Sequence, residues 1–499
     1  MSSFATPEVL PRMSLDRMLP GLLVVVALAV FGVGAGLVFG VRGGNLATLV
    51  LCMLTAAIAL IPIVATRAQP VDRRNVLLVL FCLAYIARFV IPPMILYLPE
   101  TAPIDAPGMA YSMLSPWDVA AGQLVILIAL LSFLAGHAVP TLRLLRPGSA
   151  REGQDWTPSI TFSVGVVLIL IGWPISTAAT LGLIPASLGS GIITTLGSSL
   201  VFGHVLLALA YFRHGMRVAM LVLCFTIPVT SLIGFFSGSK TAAVLAPAFV
   251  ALTYIFERRR VPLSLLAAGT LALAVMYPAS EFLRIYMLGT DFRFTAEVLL
   301  DPAASAAEVS SFVQSNDLGN YLSDGFSAVG ARLDLTGVVS VIVRDTPRLS
   351  PFQYGSTLVL FFVSFVPRAF WPDKPNIAIG QFITDVYGSG PEIESSTAPT
   401  QIGDFYLNFG YAGVIIGMIV LGLALRLAAD LLLGRRMTAT TMLAAIAVAY
   451  SAIFGFETNV ALAQARMFFF LVPIVALHYA VAFFVVGRRT PSRAPENAS

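Results

Sequence analysis

Charge is what this 499-residue sequence has least of. Only 11% of its residues are charged, 58% are hydrophobic, and mean hydropathy is +0.88. A soluble domain needs far more polar surface, so that class is excluded. Lysine is nearly absent: of 30 cations, Lys240 and Lys374 are the only lysines. The three cysteines, Cys52, Cys82 and Cys224, all fall inside apolar runs. That placement argues against a disulfide framework and against a Cys-based metal site. The four histidines, His137, His204, His214 and His478, are too scattered for a His-rich metal site. The net charge of +4 is small and reads as loop bias, not as affinity for nucleic acid. The short alternating segments of a membrane β-barrel are missing as well.

What recurs instead is the apolar run long enough to cross a bilayer. The expected fold class is an all-α polytopic membrane protein, with about 12 transmembrane helices plus a re-entrant or membrane-lying segment. Spans are expected at 20–40, 45–65, 76–98, 118–138, 160–183, 196–212, 217–236, 241–256 and 262–280, then near 409–433, 438–456 and 466–487. The first follows Arg12, Asp16 and Arg17 without a small-residue cleavage site, so it reads as a retained helix.

Arginines set the orientation. Arg67, Arg73 and Arg74, then Arg143, Arg146 and Arg151, then Arg213 and Arg217, then Arg258, Arg259 and Arg260 occupy every second loop. The positive-inside rule makes those loops cytoplasmic. Arg435, Arg436, Arg488 and Arg489 should be cytoplasmic too. That parity holds if the apolar run at 355–371 does not cross, or if it crosses together with a further span near 327–343. The first alternative gives a cytoplasmic segment 1–19, a bundle 20–280, an outer cap 281–354, a re-entrant segment with a second outer loop at 355–408, helices at 409–487 and a cytoplasmic tail 488–499.

Within these outer stretches several polar groups stand in apolar settings. Arg332 and Asp334 lie two apart in GARLDLTG. They are a surface ion pair, or a phosphate ligand beside a base. An ionisable group at membrane depth costs roughly 2.5–3.5 kcal/mol on insertion scales and is by default functional. Arg368, in FVPRAFWPDKP, is fenced by Pro367 and Pro372, which stop a helix and fix a turn. It either snorkels to headgroups or binds an anion. Trp371 suits the membrane interface. Arg284, in EFLRIYM, is an anchor of the same kind. Lys240 and Lys374 both fall on the outer side; they reflect either codon bias or point charges for phosphate. SGSKT around Lys240 lacks the first glycine of a P-loop and lies between membrane runs. Gln401, Asp404, Tyr406 and Asn408 cluster in TAPTQIGDFYLNFG, while Glu457, Asn459, Gln464 and Arg466 mark the outer ends of the last two spans.

SGSKT, GARLDLTG, YGSTLVLFFVSFVPRAFWPDKP and IGDFYLNFGYAGVIIGM together resemble the oligosaccharide repeat-unit polymerases of bacterial O-antigen and exopolysaccharide synthesis (Wzy-type), over roughly 230–470. The resemblance implies a glycosyltransferase C-like fold of the metal-independent type in the inner membrane, with both termini cytoplasmic and the active site facing the periplasm. It implies no cofactor and no metal. The substrate would be a polyprenyl-pyrophosphate-linked oligosaccharide, and a chain-length regulator would be a partner. Arg332 and Arg368 would hold the pyrophosphate, supported by Arg284, Lys240 and Lys374. Asp334, Asp404 or Glu457 would be the base, with Trp371, Tyr406, Asn408 and Arg466 near substrate. An O-antigen ligase-type transferase and a lipid-linked oligosaccharide flippase or transporter are the alternatives.

Overall fold

In a computed structural model the regular elements of the described residues are all helices. The described residues are 40–65, 73–96, 114–139, 155–180, 190–236, 240–259, 333–366, 373–388, 397–433 and 437–483, with a few isolated positions between. The expected spans at 20–40 and 262–280 and most of the stretch 281–332 lie outside them.

The helices are α1 (Gly43–Ala65), α2 (Arg73–Phe89), α3 (Ile91–Leu96), α4 (Pro116–Ala138), α5 (Pro158–Thr180), α6 (Ser190–His214), α7 (Arg217–Phe236) and α8 (Lys240–Arg258). They continue as α9 (Thr336–Asp345), α10 (Ser356–Ser364), α11 (Gly380–Tyr387), α12 (Thr400–Leu432), α13 (Ala439–Phe454), a 3-10 turn (Gly455–Glu457) and α14 (Val460–Val481). Among the described residues 8 helical segments are long and apolar enough to cross a membrane, so the protein is membrane-embedded and polytopic. These are α1, α2 run on into α3, α4, α5, α6, α7, α12 and α14. The helix at Ala439–Ile453 is apolar but shorter.

The apolar run at 355–371 forms only α10, of 9 residues. At 1.5 Å per residue it reaches about 14 Å, under half the hydrocarbon thickness. The span expected from 409 instead begins at Thr400 and contains a break at Phe409 and Gly410.

The chain divides into two compact units. The first holds Met1–Val139, Gly330–Tyr354 and Gln381–Leu423. In it α1 and α9 both pack on α4. The fit of α4 to α9 depends on Gly122, because a Cβ there would lie 2.1 Å from the Ser340 hydroxyl. Small residues let membrane helices approach closely, which is how they associate where lipid removes the hydrophobic drive.

The second unit holds Pro140–Val329, Gly355–Gly380 and Ala424–Ser499. Its core is Ile169 of α5 packed with Leu200, Leu207, Ala208 and Ala210 of α6 and Ala219 and Leu223 of α7. One end is tied by charge. Arg213 donates to Asp155 at 2.6 Å and to Glu257 at 2.8 Å, and Asp155 also accepts the N–H of Ala439 at 2.9 Å. One arginine thereby joins the entry to α5 to the ends of α6 and α8, while Asp155 caps the start of α13.

Candidate functional site

Two short buried helices define the polar interior of the first unit. α9 reads TGVVSVIVRD, a run rich in β-branched residues with poor intrinsic helix propensity. Its helicity comes from context. The face from Thr336 to Ile342 is buried. Asp334 caps its start: one carboxylate oxygen accepts the N–H of Thr336 at 2.9 Å, the other that of Gly337 at 3.1 Å. Both oxygens therefore serve backbone donors at a helix N-terminus. Its charge is felt by Cys52 of α1. The hydroxyl of Thr336 and the side-chain carbonyl of Gln123 are buried with no hydrogen-bond partner among the described residues.

The second short helix is the first third of α12. Residues 400–408 wind helically, then Phe409 (φ −143°, ψ 18°) and Gly410 (φ 61°, ψ −144°) break the ladder before the helix resumes. The pair at Gly410 is open to glycine almost alone. Breaking a helix inside a membrane unit frees carbonyls that need partners. Here the N–H of Gln353 donates to Leu407 at 2.9 Å and that of Tyr354 to Asn408 at 3.2 Å. Thr400 caps the other end, its hydroxyl accepting the N–H of Gly403 at 2.9 Å. Gly403 lies against Ile342, so this half-helix rests on α9.

Asp404 is wholly buried on that half-helix, beside Gln401, Tyr406 and Asn408, which are buried too. The Asn408 amide donates to the Asp404 main-chain carbonyl at 2.8 Å and to its carboxylate at 3.2 Å. The Tyr406 ring meets Tyr411 edge-on at 5.4 Å. The polar cluster from Gln401 to Asn408 is thus about two turns of buried helix.

A third group closes the far end of α9. Arg344 donates to both oxygens of Asp345, at 3.1 and 2.7 Å, and Arg348 donates to the same carboxylate. Asp345 is buried, Arg344 is mostly covered, and Arg348 is 68% exposed. Next to them Thr346 shares a 2.7 Å hydrogen bond with Tyr387 of α11. Asp118 at the start of α4 also acts on Arg344, so two arginines and two carboxylates gather here. The sequence shows the arginines only as cations among acids. That they converge on Asp345 follows from the turn after α9, which spacing alone does not reveal.

The second unit carries the remaining candidates. Lys374 donates to the main-chain carbonyl of Val366 at 2.8 Å and to that of Ser364 at 3.4 Å. Its ammonium thereby closes the C-terminal end of α10, where a cation suits both orphan carbonyls and helix dipole. Asn459 donates to Ile377 at 3.0 Å and pins the next part of the same loop to the start of α14. Trp371 is exposed beside a more exposed Phe370. Glu457 and Arg466 both act electrostatically on Tyr450, which packs edge-on against Phe249 and Phe470. Glu457 is half-buried and Arg466 exposed.

Arg332, Arg368 and Arg284 lie outside the described residues. So does the side chain of Lys240, whose backbone starts α8. Among the described residues no three His, Cys, Asp or Glu side chains are grouped to hold a metal.

A family model described as a domain of unknown function (DUF8712) matches residues 167–445. No curated protein and no solved structure matches the chain.

Proposed function

This chain belongs to the DUF8712 family, and we propose that it is a membrane glycosyltransferase that polymerises polyprenyl-pyrophosphate-linked oligosaccharide repeat units on the outer face of a bacterial inner membrane. The observation that carries the reading is Asp404. A carboxylate 0% exposed, on a broken half-helix of a membrane-embedded unit, has a cost that a structural role does not need. Within the membrane, broken backbone is tolerated where it is buried in protein or lines a cavity. The orphaned Thr336 and Gln123 groups give the same unit an unsaturated polar interior.

The reaction needs little acid catalysis. An acceptor sugar hydroxyl attacks the anomeric carbon, the bond to the lipid pyrophosphate breaks, and the hydroxyl proton passes to a base. Asp404 is the base in this reading, held by Asn408. Asp334 is already committed to two backbone amides and fits a capping role better. Arg332 and Arg368 stabilise the leaving pyrophosphate, as the resemblance implies.

A transporter of lipid-linked glycan is the second reading. Half-helices such as 400–408 are the device by which transporters build midplane sites. One experiment separates the two. Purified chain receives a polyprenyl-pyrophosphate-linked repeat unit with chelator present, and products are resolved by gel and mass. A ladder that disappears in Arg332→Ala and Asp404→Asn supports the polymerase. Transfer only when a terminal lipid acceptor is supplied identifies a ligase. Absence of both products, with flux of the glycolipid across proteoliposomes, identifies the transporter.

A further inference from the structure

The polarity of α10 runs the wrong way for a helix lying in water. The two residues it buries, Thr357 and Ser364, are both polar. Its exposed positions are Ser356, Val359 and Phe362, and their spacing of three puts them on one face. Phe362 is 69% exposed. The chain beyond the helix prolongs that face, because Phe365, Phe370 and Trp371 are exposed as well. No charged residue occurs from Gly355 to Pro367. A helix on an aqueous surface turns its apolar stripe inward and its polar residues outward. In α10 the outward side is the apolar one.

What meets this face is read from α14, in the same unit. Phe361 meets Phe468 at 5.5 Å, and Phe365 meets Phe468 at 6.0 Å and Phe469 at 5.8 Å. α14 is long and apolar enough to cross a membrane. Arg466 is exposed, and below it the rest of α14 carries no Asp, Glu, Lys or Arg, so hydrocarbon begins at that level. Phe468 and Phe469 lie within one turn of it. Phe365, Phe468 and Phe469 touch and are all exposed, so the bare face of α10 is continuous with the lipid-facing side of α14, which runs on through Val472 and Val475. At the other border the exposed residues turn polar, with Asp373 and Asn376. There Asn459 holds Ile377 at the start of α14, on the watery side of Arg466.

We propose that α10 is immersed in the outer leaflet just beneath the headgroups, with Val359, Phe362 and Phe365 against lipid acyl chains and Trp371 at the boundary. The leaflet is the outer one because Arg488 and Arg489 put the far end of α14 on the cytoplasmic side. Tryptophan at the headgroup level fits the same placement. The partner of this face is bulk lipid, and its depth is one that hydropathy alone leaves open. The proposal does not depend on the glycosyltransferase reading.

Spin labelling tests it on the full chain in nanodiscs of phosphatidylethanolamine and phosphatidylglycerol. The background carries Cys224→Ala, since Cys224 is exposed while Cys52 and Cys82 are buried. A nitroxide is attached through Phe362→Cys, or through Val359→Cys on the same face. Val472→Cys on α14 serves as the lipid reference and Asn376→Cys as the water reference. Melting temperature and gel filtration check each variant. Collisions with oxygen, which gathers in hydrocarbon, are compared with collisions with a polar nickel chelate, which stays in water. The expected result at 359 and 362 is loss of nickel collisions to the level of Val472→Cys, with oxygen collisions kept. Nickel collisions equal to those of Asn376→Cys would put the face in water and overturn the proposal. Loss of both relaxants would mean that protein covers the face, a second copy if the particle mass doubles, and would overturn it too. So would oxygen collisions that vanish once polyprenyl pyrophosphate is added, which would make the face a seat for one isoprenoid chain.

Discussion

The ammonium of Lys374 lies 2.8 Å from the carbonyl oxygen of Val366, two residues past the end of α10. This one contact closes FVPRAFWPDKP on itself: the loop that leaves the helix returns to cap it. The helix ends at Ser364, and Lys374 supplies a donor to the carbonyls at that end. A charge-assisted pair of this kind, part-exposed, contributes about 1–2 kcal/mol. Lys374→Met should lower the melting temperature and speed proteolysis within 365–377. If Lys374 instead works as a phosphate ligand, the variant will keep wild-type stability and lose only substrate affinity.

Two of the buried carboxylates of the first unit, Asp334 and Asp404, should answer mutation differently. Asp334 caps α9, so Asp334→Ala should cost about 1–2 kcal/mol of stability, as loss of an N-cap does. Asp404→Asn keeps the shape and a hydrogen-bonding side chain beside Asn408. It should fold normally and lose about 10²–10⁴ in chain elongation, the usual size of a general-base effect. Melting curves and initial rates of the two variants decide the assignment. A stable, active Asp404→Asn would remove the base from this half-helix.

Much of the fold is legible in the sequence because hydropathy reports what bilayer-spanning helices require. The runs behind α1, α4, α5 and α7 are recovered within a few residues. The candidate site is harder to read. IGDFYLNFG reads as the start of a span, since nothing in its composition announces that Gly410 will take a positive φ and cut off a buried half-helix. GARLDLTG pairs Arg332 with Asp334 by proximity in sequence, yet Asp334 spends both oxygens on the amides that follow it. Arg344 and Arg348 look like ordinary surface cations until the turn after α9 brings both onto Asp345.

Gly410 offers a test of the break itself. Its φ of 61° and ψ of −144° fall where a side chain is strained, and an added Cβ would also meet the Phe352 ring at 3.4 Å. Gly410→Ala should cost about 1–3 kcal/mol. It should also loosen the caps from Gln353 and Tyr354, visible as faster amide exchange at those two positions. Unchanged stability would mean that the half-helix tolerates a continuous α12.

The Arg213 knot should be a purely structural element. Its guanidinium side chain is 16% exposed and bonded to two carboxylates. Arg213→Ala removes the cation that Asp155 and Glu257 share, at a cost between that of a surface pair and a buried one, about 2 kcal/mol. The loss should appear in thermal unfolding, while product length in the polymerisation assay stays as in wild type for the fraction that is folded. A change in product length at equal folded amount would place this end of the bundle in the reaction.

Acid should act on the first unit through Asp345, which sits outside the membrane-crossing helices. Burial alone would raise its pKa, but hydrogen bonds and charge from Arg344 and Arg348 outweigh it, and the net direction is down. A carboxyl depressed in the folded state contributes stability above its unfolded pKa of about 4, and that contribution is lost as pH falls through the lower folded value. Stability should therefore decline below about pH 4. Asp345→Asn should flatten that decline and lower stability at neutral pH by about 1–2 kcal/mol, discounted because Arg348 is largely exposed. Melting temperatures of both proteins between about pH 3 and 7 measure this. Parallel curves for wild type and variant would mean that another carboxyl governs the acid limb, and that the two arginines hold Asp345 for geometry alone.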